Sequence, residues 1–220
     1  MLADFQNLRT KMVDNQIRTT DVTDLALLDA FLAVPREAFV PENRKELAYI
    51  DEDIQLGGDA QRFLMEPSPL AKLIQLADIK PSDLVLDVGS GSGYAAAVLS
   101  QLAGSVIALE SDSALSAQAG SVLSSLGYDN VVIVTGELGL GHSSEAPYDV
   151  ILIEGAVDYV PQTLKDQLKD GGRLIAVEGQ GNLGVARVYT KENSVISCRD
   201  AFNIAVKPLR EFARKAEFTF

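Results

Sequence analysis

The sequence predicts a doubly wound α/β sheet, mostly parallel with an antiparallel edge and preceded by a helical N-terminal extension. Three observations predict it: from about Pro81 short apolar runs alternate with helical segments, the runs are continuously hydrophobic, and a glycine-rich turn joins the first run to the helix after it. Continuous apolar runs mark strands buried on both faces of a parallel sheet. Their alternation with helices is the signature of a doubly wound architecture. The 220 residues fit a single domain, which we divide into an extension and loop over 1–79 and an α/β core over 80–220.

Taken in order, Phe5, Leu8, Met12 and Ile17 recur near the helical period, and Leu25, Leu28, Phe31 and Leu32 repeat the pattern up to Val34-Pro35. Periodicity fades between Tyr49 and Pro69, where Gly57-Gly58-Asp59 predict an irregular loop before a helix carrying Leu70, Leu73, Ile74 and Ala77. The predicted strands are Leu84–Val88, Ser105–Leu109, Val131–Val134, Tyr148–Ile153 and Arg173–Val177, separated by helices over Tyr94–Leu102, Ala114–Leu126 and Val160–Leu168. Two closing strands, Val185–Tyr189 and Ala201–Val206, complete one edge. Phenylalanines spaced along the tail Glu211–Phe220 suit docking on the core.

Composition narrows the function. A net charge of −12 argues against nucleic acid, whose binding draws on Lys and Arg displacing counterions, and against anionic membrane surfaces. No segment reaches the ~18 apolar residues of a spanning helix. Asp4 stands where a signal peptide would be basic, so we expect a cytoplasmic protein, with a monomer as the default. One His and one Cys cannot build a zinc cluster, so no metal is expected. His142 lies in a polar stretch and reads as a solvated loop residue, and Cys198 as a small hydrophobe packed in a strand.

The sharpest feature is Asp87-Val88-Gly89-Ser90-Gly91-Ser92-Gly93-Tyr94, where the first buried strand turns into a helix. Glycines there let backbone approach a ligand closely, and the helix start offers unpaired N–H groups. Their alternate spacing, Gly89, Gly91 and Gly93, differs from the G-x-G-x-x-G of dinucleotide sites, which opposes a nicotinamide oxidoreductase. Glu110 ends the second strand about 20 residues on, where an acid can accept from ribose hydroxyls. Gly136-Glu137 follows the third strand, beside the position an adenine would take. These groups converge outside the carboxyl ends of the strands, the ligand-binding crevice of open α/β sheets.

At these residues the chain resembles the S-adenosylmethionine-dependent methyltransferases, with their Rossmann-like core, and Asp87 to Gly93 matches their first motif. Over nearly its whole length it resembles the protein-L-isoaspartate O-methyltransferases. The matching stretches are Val34-Pro35-Arg36-Glu37-Ala38-Phe39-Val40-Pro41, Leu47-Ala48-Tyr49, Asp87 to Val98, Leu126-Gly127-Tyr128-Asp129-Asn130-Val131 and Leu168-Lys169-Asp170-Gly171-Gly172-Arg173-Leu174. The resemblance implies S-adenosyl-L-methionine as cofactor, and we take Asp87, Gly89, Ser90, Gly91, Gly93, Glu110, Gly136, Glu137 and Glu154 as the residues that hold it. It also implies a peptide or protein acceptor bearing a carboxylate, methyl-esterified as the first step in repairing isoaspartyl damage.

The chain departs from the family where the acceptor should bind. The family's Thr-Ile-Ser stretch before a proline is replaced by Phe63-Leu64-Met65, flanked by Arg62 and Glu66, and Glu154 stands where the family usually has a neutral residue. We take Gln61–Pro67 as the acceptor-side loop and Arg62 and Met65 as its candidate catalytic positions, with Arg62 able to pair with a carboxylate. Two alternatives stay open: a methyltransferase of the same fold with another acceptor, and a non-catalytic binding protein on a retained scaffold.

Overall fold

The structure, a computed structural model, describes residues 4–57, 61–179 and 181–214; Gly58 and Asp59 of the expected loop and residues 215–220 of the tail lie outside them. The extension holds α1 (Phe5–Met12), continued by a π turn and a 3-10 turn to Thr20, and α2 (Leu25–Ala33). Asp24 caps α2, its carboxylate accepting from the Ala26 and Leu27 amides at 2.9 and 3.3 Å. Such caps are worth about 1 kcal/mol, so Asp24→Ala should lower Tm by about 2–4 °C in a chain of this size, as read by a reversible thermal melt.

The expected irregular loop is instead a short antiparallel hairpin of β1 (Ile54–Gly57) and β2 (Arg62–Leu64). Strands this brief carry too few residues for alternation to register. Helix α3 (Pro67–Ala77) follows, opening on proline, whose fixed φ suits a first helical turn.

The core alternates β3 (Leu84–Val88), α4 (Tyr94–Ser100), β4 (Ser105–Glu110), α5 (Ser113–Ser125), β5 (Val131–Thr135), β6 (Tyr148–Val157), α6 (Gln162–Asp166), β7 (Leu168–Glu178), β8 (Val185–Glu192) and β9 (Val195–Asn203). The sheet order is β5-β4-β3-β6-β7-β8-β9. All pairs from β5 to β7 are parallel, and β8 and β9 add the antiparallel edge. Successive strand residues point to opposite faces. Val85, Val106 and Val150 pack toward the N-terminal helices, whereas Leu86, Ile107 and Ile151 pack on the other side with Leu164 and Leu209.

Three sequence expectations are corrected. Helix α6 ends at Asp166 because Leu168 already pairs with Tyr148, and Lys169 to Gly172 loop out before Arg173 rejoins the sheet opposite Val150. The last strand lies at Val195–Asn203 rather than Ala201–Val206. As an edge strand it is mostly exposed, and Cys198 on it is exposed rather than packed. His142 is a half-buried loop residue, its ring Nε2 2.7 Å from Ser144 Oγ. Among the described residues no helix is long and apolar enough to cross a membrane.

Candidate functional site

Strand order reverses between β3 and β6, opening a crevice at their carboxyl ends, where ligands of open α/β sheets bind. Asp87 and the glycine turn line it from β3. Gly89 and Gly91 have φ of +83° and +54°, the left-handed region that favours glycine. Gly93, at +85°, caps α4. The turn is tied to the next strand, the Gly89 and Ser90 amides donating to the Leu109 carbonyl at 2.9 and 3.2 Å.

Asp87 is fully buried, and among the described residues no amide, hydroxyl or cationic group donates to either of its oxygens; Ser90 Oγ, Ser92 Oγ and Glu154 Oε1 are buried and likewise lack such a partner there. Val88 pairs with Ile153, so the neighbouring strands bring Asp87 and Glu154 together at the crevice floor. Burial is the main force raising the Asp87 carboxyl, to about 7. Burial and then the charge of Asp87 push Glu154 well above the usual carboxylate range. Two such acids facing each other hold a proton between them. Their preferred guest is a cation.

Glu110 is fully buried at the end of β4, and its carboxylate accepts from the amides of Gly91 (2.8 Å), Ser111 (2.7 Å) and Asp112 (2.9 Å). It also accepts from Ser111 Oγ at 3.3 Å and from Arg62, whose Nε donates to both oxygens at 3.1 and 3.0 Å. The other end of that guanidinium meets Glu211, with Nη2–Oε1 at 2.7 Å and Nη1–Oε2 at 3.2 Å, and Ser111 Oγ at 3.0 Å. Burial works against the Arg62 charge, but the bonds to Glu211 and Glu110 outweigh it and hold the guanidinium above its ordinary pKa. Burial would likewise raise Glu211; the bonds from Arg62 and Ser111 prevail and lower it.

Gly136 donates from its amide to the Glu110 carbonyl at 2.9 Å, which brings the turn after β5 alongside. Glu137 then lines a cavity of about 480 Å3 with Ser111, Leu138, Leu140, Tyr159 and Glu211. Over the glycine turn itself lie two apolar side chains. A Cβ at Gly91 would fall 2.9 Å from Leu56, and one at Gly89 3.1 Å from Leu209. Leu209 belongs to a C-terminal segment that pairs with β6, its amide donating to the Ala156 carbonyl at 2.9 Å.

The structure thus gathers Asp87, Gly89, Ser90, Gly91, Gly93, Glu110, Gly136, Glu137 and Glu154 around one crevice. It corrects the expectation for the acceptor-side loop. Arg62 lies on strand β2 and is turned into the crevice toward Glu110, because a buried guanidinium needs carboxylate partners. Met65 is buried, and its carbonyl accepts from Arg36 at 2.7 Å, so its side chain presents nothing to an acceptor. Ser68, the nearest hydroxyl in sequence, bonds Thr20 Oγ1 at 3.0 Å and stands in for no missing group. Sequence reasoning missed Glu211, Leu209 and Tyr159, none of which carries a local motif.

A model of the protein-L-isoaspartate(D-aspartate) O-methyltransferase family matches residues 7–211. Protein-L-isoaspartate O-methyltransferase 2 of Shewanella sediminis is 42% identical over 167 residues, covering 76% of this chain and 68% of that protein. The protein-L-isoaspartate O-methyltransferase of a Roseiflexus species is 34% identical over 206 residues, covering 94% and 93%. A solved protein-L-isoaspartate O-methyltransferase superposes with a TM-score of 0.79 at 27% identity, over 91% of this chain and 65% of that one. The chain therefore spans just under two thirds of that solved protein. A Plasmodium falciparum structure described as a complex with S-adenosyl-L-homocysteine has a TM-score of 0.77 at 21% identity, covers 95% of this chain and 99% of that one, and shares the fold. On a family match that runs almost from end to end, this chain belongs to the protein-L-isoaspartate(D-aspartate) O-methyltransferase family.

Proposed function

We propose that the chain is an S-adenosyl-L-methionine-dependent carboxyl methyltransferase that esterifies isoaspartyl residues in peptides and proteins. One observation carries the cofactor assignment: among the described residues both oxygens of Asp87 and Oε1 of Glu154 are buried without an amide, hydroxyl or cationic donor, beside a glycine turn that admits close backbone approach. S-adenosyl-L-methionine bears an ammonium and a sulfonium, and this acid pair fits such cations. Glu110 is suited to the ribose and the cavity walled by Glu137, Leu138 and Leu140 to the adenine. When bound, the cofactor supplies an electrophilic methyl group.

The acceptor carboxylate, with an ordinary pKa near 4, is already ionised at neutral pH and needs no general base. That suits this chain. Its one histidine precedes β6, on the amino side of the sheet and away from the crevice. The residues' task is then alignment and exclusion of water, and alignment alone can supply about 7–11 kcal/mol in favourable systems. A cytoplasmic location belongs to the same reading, supported by the free thiol of Cys198.

A second reading, the same transfer to a different carboxylate, is favoured by the hairpin, where no hydroxyl replaces the family's serine. Labelled S-adenosyl-L-methionine with matched isoaspartyl and aspartyl peptides separates the two. Base-labile methyl ester on the isoaspartyl peptide alone is the expected result. Ester on neither, in protein that binds S-adenosyl-L-homocysteine, would move the activity to another acceptor.

A further inference from the structure

We propose that Arg62 is a latch on the crevice: its guanidinium holds the acceptor positions on Glu110 that a ribose diol requires, so cofactor binding must displace it. The inference deepens the cofactor assignment above and rests on it. A carboxylate offers about four lone-pair positions. On Glu110 the backbone amides of Gly91, Ser111 and Asp112 donate, with the Ser111 hydroxyl longer at 3.3 Å, and the accessible remainder lies under Arg62 Nε, which sits astride both oxygens. The three amides belong to the turn and the strand end and cannot leave without unmaking the site. The side chains can: the Ser111 hydroxyl already has a shorter bond to Glu211, at 2.8 Å, which leaves the arginine as the group to be displaced.

Its surroundings fit a part that moves as one with the hairpin. Leu56, on the strand paired with that of Arg62, is the side chain that crowds Gly91, so one hairpin covers both the ribose acid and the glycine turn. Glu211 offers the released guanidinium a second seat, since it already binds Nη2 at 2.7 Å and Nη1 at 3.2 Å. The cavity of about 480 Å3 is walled by Ser111 and Glu211. From that cavity toward the glycine turn, the contacts run through Arg62 to Glu110 and then to the Gly91 amide. A nucleoside entering there meets the latch first.

Apparent affinity falls in proportion to the fraction of molecules with the site open, so removing the latch should tighten binding. Calorimetry with S-adenosyl-L-homocysteine should give a Kd about tenfold or more lower for Arg62→Gln than for the unmodified chain. A second measurement uses the unmodified protein, in case the variant folds poorly: NMR of the Arg62 Nε–H, assigned by its loss in Arg62→Lys. Saturating S-adenosyl-L-homocysteine should move that resonance to the position of a free guanidinium and speed its exchange with water. A variant that binds equally or more weakly, or an Nε–H that keeps its carboxylate-bonded shift in the complex, would overturn the latch while leaving the cofactor site intact. Binding by neither protein would overturn both the latch and the cofactor assignment.

Discussion

Replacing Arg36 by methionine is expected to cost about 2–6 kcal/mol of stability, the penalty for leaving two buried carbonyls without donors. Arg36 is fully buried, and its Nε and Nη2 each donate at 2.7 Å, to the carbonyls of Ala48 and Met65. Its guanidinium lies 4.8 Å from the centre of the Tyr94 ring, which Phe31 and Phe39 meet edge-on. Burial lowers its pKa, but an arginine starts so high that it stays charged. Methionine would fill the volume and leave two buried carbonyls without donors, each costing about 1–3 kcal/mol. Lysine keeps the charge but not the planar fork, so Arg36→Lys should fall between. Urea unfolding monitored by circular dichroism reads both. A methionine variant within about 1 kcal/mol of the parent, inside the range of an ordinary net hydrogen bond, would show that the carbonyls find water instead.

That clamp explains why some of the molecule could be read from sequence and some could not. Val34 to Pro41 stood out as a family match, yet its purpose is visible only in space: Arg36 ties the segment before α3 to the loop after Leu47. The strands β3 to β7 were legible because burial on both faces leaves a continuous apolar run, and the crevice was legible because glycine and acid fall at fixed places relative to strand ends. Glu110 was found in that way. The partnership of Asp87 with Glu154 was not, since it depends on β6 lying beside β3. Arg62 was read as an acceptor-side residue from its neighbours in sequence, whereas its partners are 48 and 149 positions away. The last strand was displaced because an exposed edge has little apolar patterning, and its Asp200 faces Arg187 across the ladder.

Affinity for S-adenosyl-L-methionine is expected to rise with pH through neutrality, because the acid pair on the crevice floor must give up its shared proton to a cation. Asp87 is raised to about 7 and Glu154 well above the usual carboxylate range, both chiefly by burial, so below neutrality the pair holds protons that an ordinary carboxylate would have lost. A cationic guest favours the ionised pair and drives the proton out. Below the pair's pKa, affinity should change by about tenfold per pH unit for each proton released, the limiting slope of linkage. Calorimetry in buffers of different ionisation enthalpy counts that proton directly. The same shift sets the sign for folding. From about pH 4 upward the native state binds more protons than the unfolded chain, so stability of the free protein falls as pH rises through about 7, and levels off only once Glu154 too is ionised. Asp87→Asn should remove part of that fall, since the amide leaves one buried acid instead of two and Glu154 stays raised by its own burial, and should weaken cofactor binding at pH 8. S-adenosyl-L-homocysteine, which lacks the sulfonium charge, should show the gentler pH dependence of the two ligands. Equal slopes for both would mean that the acid pair meets the ammonium alone.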